Sequence, residues 1–206
     1  MSSDSSSTIA SEIELVPANC IESLDLQAVF RRVAPLQVDL GCGDGSFVTA
    51  LAAQTADNDF LGIERLPGRV RSACRKIERA GLTNARVTRF EISYAVEYLL
   101  PPGSVTAFYL LFPDPWPKRR HASRRLVTRD FLESLYRALV PNGTVRIATD
   151  EVEYFRHIRS LVSESRLFAV TTDARQTPVM TKFERRFRER GLAIHRVELR
   201  KVSPVT

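Results

Sequence analysis

Short apolar segments alternate with segments of helical periodicity along the middle of the chain. The run Leu36–Leu40 reads as a buried strand, and Ser46–Gln54 repeats apolar residues at helical spacing. Asp59–Glu64 reads as a second strand, and Pro67–Gly81 as an arginine-rich helix that ends at a glycine. Strands that alternate with helices predict an α/β fold with a mostly parallel, doubly wound sheet.

The same alternation continues toward the C-terminus. Further strands are predicted at 84–90, 104–112, 144–149 and 192–200, and helices at 128–140, 151–167 and 181–190. The tripeptide Pro141-Asn142-Gly143 is predicted to separate a helix from the strand after it. Since there is no internal repeat and no long linker, we expect one domain over residues 13–206. The serine-rich residues 1–12 are expected to form a disordered tail.

Composition narrows the class of protein. The chain has 206 residues, is 44% hydrophobic and carries a formal net charge of +6, which suits a globular domain with a polyanionic partner. The three cysteines and three histidines are scattered, so we expect a reducing compartment and no metal site. No secretory signal and no apolar run of membrane-spanning length is present, so we expect a cytoplasmic protein without membrane contact.

A glycine loop follows the first predicted strand. Gly41, Gly43 and Gly45 stand at alternate positions, two residues after Asp39. The spacing differs from the dinucleotide fingerprint and resembles the first motif of S-adenosylmethionine-dependent methyltransferases. A tight turn that binds nothing is the alternative at this stage. Glu64 ends the next strand, where an acid accepts hydrogen bonds from ribose hydroxyls in nucleotide-binding sheets, although a solvated strand-end glutamate would look the same.

Residues 110–126 read LLFPDPWPKRRHASRRL and combine an acid, prolines, a tryptophan and a basic run. Asp114 follows a strand, at the carboxyl edge where open α/β sheets bind ligands. Pro113, Pro115 and Pro117 predict a stiff loop that holds this carboxylate in place. Trp116 is suited either to packing beneath the loop or to stacking on a base.

This stretch, with the later ATD (148–150) and TKFE (181–184), closely resembles the signature of bacterial tRNA (guanine-N7)-methyltransferases, from about Leu36 to Leu199. The resemblance implies a single Rossmann-like class I domain, S-adenosyl-L-methionine as cofactor and tRNA as partner. It implies methyl transfer to N7 of a guanine, in the variable loop of the tRNA. Monomer and homodimer both stay open.

The resemblance also implies roles for individual positions. The cofactor-binding residues would be Asp39, Gly41, Gly43, Gly45, Glu64, Glu91 and Asp114, with Asp114 also catalytic. The substrate-binding residues would be Lys118, Asp150, Thr181, Lys182, Phe183 and Glu184. The RNA-contacting residues would be Arg119, Arg120, His121, Arg124 and Arg125.

One position departs from the family pattern. The family has Asp-Ala after the third strand, whereas this chain reads FEISYAVEYL, so either Glu91 or Tyr94 occupies the adenine side of the cofactor. We prefer Glu91, because a carboxylate can accept a hydrogen bond from the adenine amino group.

The chemistry assigns further roles. Guanine N7 has an exposed lone pair, so Asp114 is expected to stabilise the developing purine cation rather than to act as a strong base. Asp150 and Glu184 are expected to accept hydrogen bonds from guanine N1–H and N2. From local sequence alone, Thr181-x-x-Glu184 is also a capping box. Two alternatives remain: an amino-group methyltransferase, and a non-catalytic RNA-binding module that keeps a cofactor loop.

Overall fold

The structure, a computed structural model, describes residues 12–116, 119–171 and 179–202. The chain divides into two compact units, residues 1–101 and 102–206, and each is described by itself. The predicted single domain therefore stays a prediction. Residues 1–11 of the predicted tail lie outside the described residues. Glu12 is described, and its carboxylate forms an exposed ion pair of 2.9 Å with Arg31.

The N-terminal unit is built from parallel strands and covering helices. Its elements are β1 (Glu14–Leu15), α1 (Leu26–Phe30), β2 (Leu36–Leu40), α2 (Ser46–Gln54), β3 (Asp59–Ile63), α3 (Pro67–Arg79), β4 (Ala85–Thr88), α4 (Ile92–Tyr94) and a π-helical turn (Ala95–Leu99). The strands pair in the order β1-β4-β3-β2, all parallel. β3 is buried along its whole length, which explains why it reads as an apolar run after Asp59. β2 also lies in the core but includes Gln37 and the buried Asp39.

The C-terminal unit combines parallel and antiparallel pairing. Its elements are β5 (Val105–Leu111), a 3-10 helix (Arg119–Arg124), α5 (Arg129–Ala138), β6 (Leu139–Thr149), α6 (Val152–Ser165), β7 (Phe168–Thr171), α7 (Lys182–Glu189) and β8 (His195–Lys201). The strands follow the order β5-β6-β8-β7, in which β5 and β6 are parallel and the other two pairs antiparallel. Each unit combines strands with helices, and the pairing is parallel throughout the first unit and between β5 and β6 in the second, which confirms the predicted α/β class.

Strand β6 differs from the prediction. The tripeptide Pro141-Asn142-Gly143 does not end the strand but bulges inside it, because Val105 pairs with Leu139 whereas Ala107 pairs with Thr144. Asn142 adopts the left-handed conformation at φ 61°, which asparagine tolerates well. The preceding helix consequently ends at Ala138, short of the predicted residue 140.

The described residues contain neither a candidate membrane span nor a candidate metal cluster. In the ranges given above, no helix has the length and apolar character that crossing a membrane requires. The same ranges contain no group of three or more histidine, cysteine, aspartate or glutamate side chains arranged to hold a metal ion.

Candidate active site

The glycine loop leaves β2 and is anchored to the end of the neighbouring strand. The amides of Gly41 and Cys42 both donate to the carbonyl oxygen of Ile63, at 2.8 and 3.0 Å. Strands β2 and β3 run in register from Leu36↔Asp59 to Leu40↔Ile63, so both end at the same level. This alignment places the loop at the carboxyl edge of the unit's parallel strands, as the sequence predicts.

Two glycines of the loop have different structural roles. Both have positive φ, +57° at Gly43 and +76° at Gly45. A Cβ on Gly45 would lie 2.4 Å from the Cβ of Ala73, so the bare backbone lets α2 begin directly against α3. A Cβ on Gly43 would meet only the Gly41 carbonyl oxygen at 4.0 Å. Gly45 therefore serves packing, whereas no described atom crowds the position that a Cβ on Gly43 would take.

Glu64 connects the end of β3 to the glycine loop. Its side chain is nearly buried, and Oε2 accepts a hydrogen bond of 3.2 Å from the amide of Gly43. Oε1 accepts one of 2.9 Å from the amide of Leu66. The carboxylate is thus fixed in orientation, and each oxygen retains a second lone-pair direction. The solvated strand-end glutamate considered from sequence does not describe this residue.

Asp39 is a buried acid with an unsatisfied oxygen. It is 5% exposed, and its Oδ2 has no hydrogen-bond partner within the part of the chain that the structure describes. Burial, and secondarily the negative charge of Glu64, raises the pKa of Asp39 to about 7. An unsatisfied buried acceptor costs about 1–3 kcal/mol, so the arrangement favours a ligand that brings a donor, best of all a cation.

Lys76 of α3 also holds the loop, and sequence reasoning missed it. Its Nζ contacts the Asp44 carboxylate at 2.5 Å, and donates to the Asp44 carbonyl and the Ser46 Oγ, both at 2.8 Å. One ammonium group therefore joins α3 to the loop and to the first residue of α2. Nothing in the spacing distinguishes this lysine from the exposed arginines around it, so the sequence carried no usable signal.

The segment after β4 contains Glu91 and Tyr94, the two candidates for the adenine side of the cofactor. Glu91 caps α4 through a 2.9 Å hydrogen bond from the Tyr94 amide to its Oε2. The next residue, Ile92, places its Cδ1 3.5 Å from where a Cβ on Gly41 would stand. Glu91-Ile92 thus lies beside the glycine loop, where the family pattern has Asp-Ala.

Tyr94 has other contacts. Its ring stacks on Phe90 with centroids 6.0 Å apart, and its hydroxyl donates to the Cys20 carbonyl at 3.0 Å. These contacts give Tyr94 a packing role and support the choice of Glu91.

The cysteines have different environments. Cys42 is buried, and its Sγ lies 2.7 Å from where a Cβ on Gly62 would stand, so the thiol fills the space that this glycine leaves. Burial raises the pKa of the Cys42 thiol well above its ordinary value, and raises that of Cys74 to about 11. Cys20 is exposed. Cys42 is therefore a packing residue of the loop rather than a nucleophile.

In the C-terminal unit, Asp114 lies in a loop with left-handed residues at both ends. Phe112 has φ 55° and Trp116 has φ 43°, conformations that bulky residues rarely adopt. The amide of Phe112 donates to the carbonyl of Ala148 at 2.7 Å, which ties the start of the loop to β6. Asp114 itself is exposed. The loop therefore presents the carboxylate to solvent from a constrained backbone, as the prolines predict.

The basic run after this loop is partly engaged in structural contacts. The Arg124 guanidinium lies 5.0 Å from the centroid of the Trp116 ring, and His121 meets the same ring edge-on. Arg125 donates to the Pro115 carbonyl at 3.1 Å and lies over the buried Tyr154 ring. The half-buried Trp116 ring therefore contacts two residues of the basic run, and both roles predicted for it, packing beneath the loop and stacking on a base, stay predictions.

Lys118, Arg119 and Arg120 are the remaining predicted positions of the basic run. Arg120 is exposed. Lys118 lies outside the described residues, and so does the side chain of Arg119.

The TKFE stretch begins α7, and the predicted cap is confirmed. The Thr181 Oγ1 accepts a 3.0 Å hydrogen bond from the amide of Glu184. Glu184 is 5% exposed, and its Oε1 accepts from Arg196 of β8 at 2.5 Å and from Arg188 at 3.2 Å. Sequence reasoning did not anticipate Arg196, because this contact depends on how β8 pairs with β6.

The rest of the predicted substrate positions are more accessible. Phe183 is 54% exposed, and its ring lies 6.0 Å from that of Phe112. Lys182 is exposed on the first turn of α7. Asp150 is exposed directly after β6, beside the capped start of α6. In the C-terminal unit Asp150 therefore follows β6, and Glu184 contacts Arg196 of β8, the strand that pairs with β6.

The order of the elements and the glycine loop after β2 define the class I methyltransferase fold. Among the solved structures that share it is the aminoglycoside resistance methyltransferase NpmB1, with a TM-score of 0.59 and 18% identity; the match covers 86% of this chain and 92% of that chain. Another is the antibiotic-resistance methyltransferase Kmr, with a TM-score of 0.62 and 20% identity; the match covers 92% of this chain and 96% of that chain.

The chain belongs to the family described as "Putative methyltransferase", whose sequence model matches residues 33–197. Among its curated relatives are the tRNA (guanine-N(7)-)-methyltransferases of Thermotoga maritima, 34% identical over 95% of this chain, and of Syntrophotalea carbinolica, 37% identical over 86%. The matched part spans 63% of the first relative's length and 78% of the second's. These relatives confirm the resemblance stated from the motifs.

Proposed function

We propose that the protein transfers a methyl group from S-adenosyl-L-methionine to N7 of a guanine in tRNA, in the cytoplasm. The observation that carries the proposal is the buried, unsatisfied Oδ2 of Asp39 beside a glycine loop held by Glu64. The activity in the relatives' names supports this proposal over the amino-group methyltransferase and over the non-catalytic RNA-binding module.

The N-terminal unit would hold the cofactor, which supplies an electrophilic methyl group on a sulfonium sulfur. Asp39 would accept from its ammonium group, which relieves the unsatisfied oxygen. Glu64, whose carboxylate is already oriented, would accept from the ribose hydroxyls. Glu91 would accept from the adenine amino group, and the open space beside Gly43 would admit the ligand to the loop backbone.

Asp114 would stabilise the positive charge that develops on the purine. Guanine N7 needs no deprotonation, so the lone pair forms the new N–C bond while the C–S bond breaks and sulfur keeps the electron pair. The base gains the positive charge that the sulfonium loses. A carboxylate held in a constrained loop interacts with that charge without reorganising, which is the usual origin of electrostatic rate enhancement.

Selection of guanine would come from acceptors in the C-terminal unit. Asp150 and Glu184 would accept from N1–H and from the N2 amino group, whereas adenine presents no donor at N1. The contact from Arg196 fixes the Glu184 carboxylate in one orientation. Thr181, Lys182 and Phe183 would line the same side of the site.

Binding of the tRNA backbone would use the basic run. Lys118, Arg119, Arg120, His121 and Arg124 would contact phosphates, and Arg125 would shape the loop through Pro115 and Tyr154.

The test is methyl transfer from labelled S-adenosylmethionine to unmodified tRNA. Borohydride and aniline treatment then cleaves the RNA at 7-methylguanosine and locates the modified base. We expect cleavage at a guanine of the variable loop. Calorimetry with S-adenosylhomocysteine should show a binding site that Gly43→Val abolishes, with the melting temperature of that variant as the control for folding. Label in RNA that resists this cleavage would favour amino-group methylation, and binding of RNA without transfer would favour the non-catalytic module.

A further inference from the structure

The outer face of α7 carries positive charges that the described structure leaves without partners. Arg185 and Arg186 are exposed on the helix, and Arg190 is exposed at its C-cap. None of these three side chains forms an ion pair with any other residue in the ranges 12–116, 119–171 and 179–202. Arg188 differs, since it contacts the carboxylate of Glu184. We call Arg185, Arg186 and Arg190 the α7 basic face.

The helix that carries these charges is held firmly at its inner side. The Thr181 cap fixes its first turn, the Glu184–Arg196 ion pair connects it to β8, and Phe187 packs on Phe112 at 5.3 Å between ring centroids. At about 100° per residue, Arg185 and Arg186 lie on the side of the helix away from Glu184 and Phe187. Arg190, at the C-cap, lies on the flank of that side, about 60° around the helix from Phe187. The charges therefore project from a positioned scaffold rather than from a loop.

The charge arrangement favours a polyanion. Arg186 and Arg190 are four residues apart, and like charges at this spacing destabilise a helix. Glu189 is adjacent to Arg190 in sequence, and no described ion pair joins it to an arginine. Phosphates would relieve this repulsion, and arginine binds phosphate through two parallel hydrogen bonds.

We propose that the α7 basic face binds the phosphate backbone of the tRNA immediately beside the target guanine. This proposal rests on the proposed function. From Glu184 to Arg190 the helix rises about 9 Å, so a base held at the first turn of α7 would leave its flanking phosphates within reach of these side chains. The face would add to the contacts of the 118–125 run, in which Arg124 and Arg125 already have contacts to Trp116 and Pro115.

The chain offers a matched control for the test. Arg71, Arg75 and Arg79 are exposed at four-residue spacing along α3 and form no described ion pair. Changing either set of three arginines to glutamine takes the formal net charge from +6 to +3. A difference between the two triple variants therefore reports the position of the charge and not its amount.

The experiment measures the affinity of both triple variants for unmodified tRNA over a range of salt concentrations. We expect Arg185→Gln/Arg186→Gln/Arg190→Gln to flatten the log–log salt slope by about 2 to 3 and to weaken binding on the order of ten- to a hundred-fold near physiological salt, with duplex values as a guide. The α3 triple variant should stay near wild type. The same three positions changed to lysine should recover most of the slope.

Two further measurements keep the outcome interpretable. Melting temperature and S-adenosylhomocysteine affinity should be unchanged in the α7 triple variant, which shows that the fold and cofactor site are intact. Equal effects of the two triple variants, or a larger effect on α3, would overturn the proposal, because charge alone would then suffice. Wild-type protein that neither binds nor methylates tRNA would instead overturn the proposed function.

Discussion

The two units present the acids that we predict to be functional in opposite ways. In the N-terminal unit Asp39 and Glu64 are about 5% exposed, and hydrogen bonds from backbone amides fix Glu64. In the C-terminal unit Asp114 and Asp150 are exposed at the ends of strands. A small cofactor of constant shape suits a preformed buried site, whereas a large RNA must approach an open one. The difference indicates that changes in the first unit alter binding constants and that changes in the second alter turnover.

The largest expected effect tests the open site. Asp114→Asn keeps the shape of the side chain and removes the charge that would stabilise the purine cation. We expect kcat to fall by about 10²–10³-fold, the size seen when one electrostatic group of an active site is removed. The affinity for tRNA should change little, which a binding titration with unmodified tRNA checks. Asp130→Asn, at another exposed aspartate of the same unit, is the control. Activity within a few-fold of wild type would place the charge stabilisation elsewhere.

Glu184 is the exception to the comparison, since it is a buried acid in the C-terminal unit. Glu184→Gln should lower kcat/KM by about ten- to a hundred-fold, because the guanine donors would lose a charged acceptor worth about 1.5–3 kcal/mol. The same change should reduce the free energy of unfolding by about 1–3 kcal/mol, since Arg196 and Arg188 lose their partner.

Kinetics below the melting transition separate the two effects of this change. Glu189→Gln, at an exposed glutamate of the same helix, is the control. Normal kinetics in folded Glu184→Gln would contradict a guanine contact and would show that Glu184 serves only its ion pairs with Arg188 and Arg196.

The buried site should respond to pH through Asp39. Its carboxyl has a pKa of about 7, raised from 3.8, so the ionised form that a cationic donor needs is lost as the pH falls through 7. We expect affinity for S-adenosylhomocysteine to weaken about ten-fold from pH 8 to pH 6, and Asp39→Asn to remove this dependence.

The unfolding free energy should follow the opposite trend. The neutral acid is compatible with burial, so the stability that Asp39 contributes is fully present below pH 3.8 and is lost as pH rises through 7. Asp39→Asn should therefore melt at a higher temperature than wild type at pH 8 and at nearly the same temperature at pH 4. A constant difference between the two proteins across this range would contradict the raised pKa.

Lys76 tests how far the cofactor loop depends on support from α3. Lys76→Met removes one ion pair and two hydrogen bonds from a partly exposed ammonium group, worth about 1 kcal/mol after solvent screening. We expect S-adenosylhomocysteine to bind about five-fold more weakly, with kcat at saturating cofactor unchanged. Lys76→Arg should recover part of the affinity. An increase in KM for tRNA rather than for the cofactor would show that the lysine acts elsewhere.

The smallest expected effect on activity concerns the helix cap. Thr181→Ala removes the side-chain acceptor for the Glu184 amide and should cost about 0.5–2 kcal/mol of stability. Activity at low temperature should stay within a few-fold of wild type, while Thr181→Ser should retain most of the stability. A large loss of kcat/KM in folded Thr181→Ala would give this residue a direct substrate contact.

The sequence predicted the elements that local patterns determine. Strands β2 and β3, the glycine loop and the Thr181 cap depend on residues close together in the chain, and all are found near their predicted positions. Strand β7 was missed because four residues are too short to show a period. The bulge at Asn142 was read as a turn, since the signals for both are the same.

The missed contacts of the site all cross long stretches of sequence. Lys76 reaches Asp44 from 32 residues away, and Arg196 reaches Glu184 from β8. Arg125, just after the 3-10 helix, contacts Tyr154 of α6. Such pairs depend on strand order and helix packing. A sequence motif can therefore identify a carboxylate such as Glu184 but not the lysine or arginine that orients it.

The unequal burial of the three cysteines gives the protein one accessible site for covalent labelling. Cys20 is exposed, whereas Cys42 and Cys74 are buried and their thiols have raised pKa values. A maleimide dye should therefore attach selectively at Cys20. Because the Cys20 carbonyl accepts from the Tyr94 hydroxyl, the dye would stand near the segment that begins at Glu91. Its fluorescence offers a direct way to follow cofactor binding in the unmutated chain.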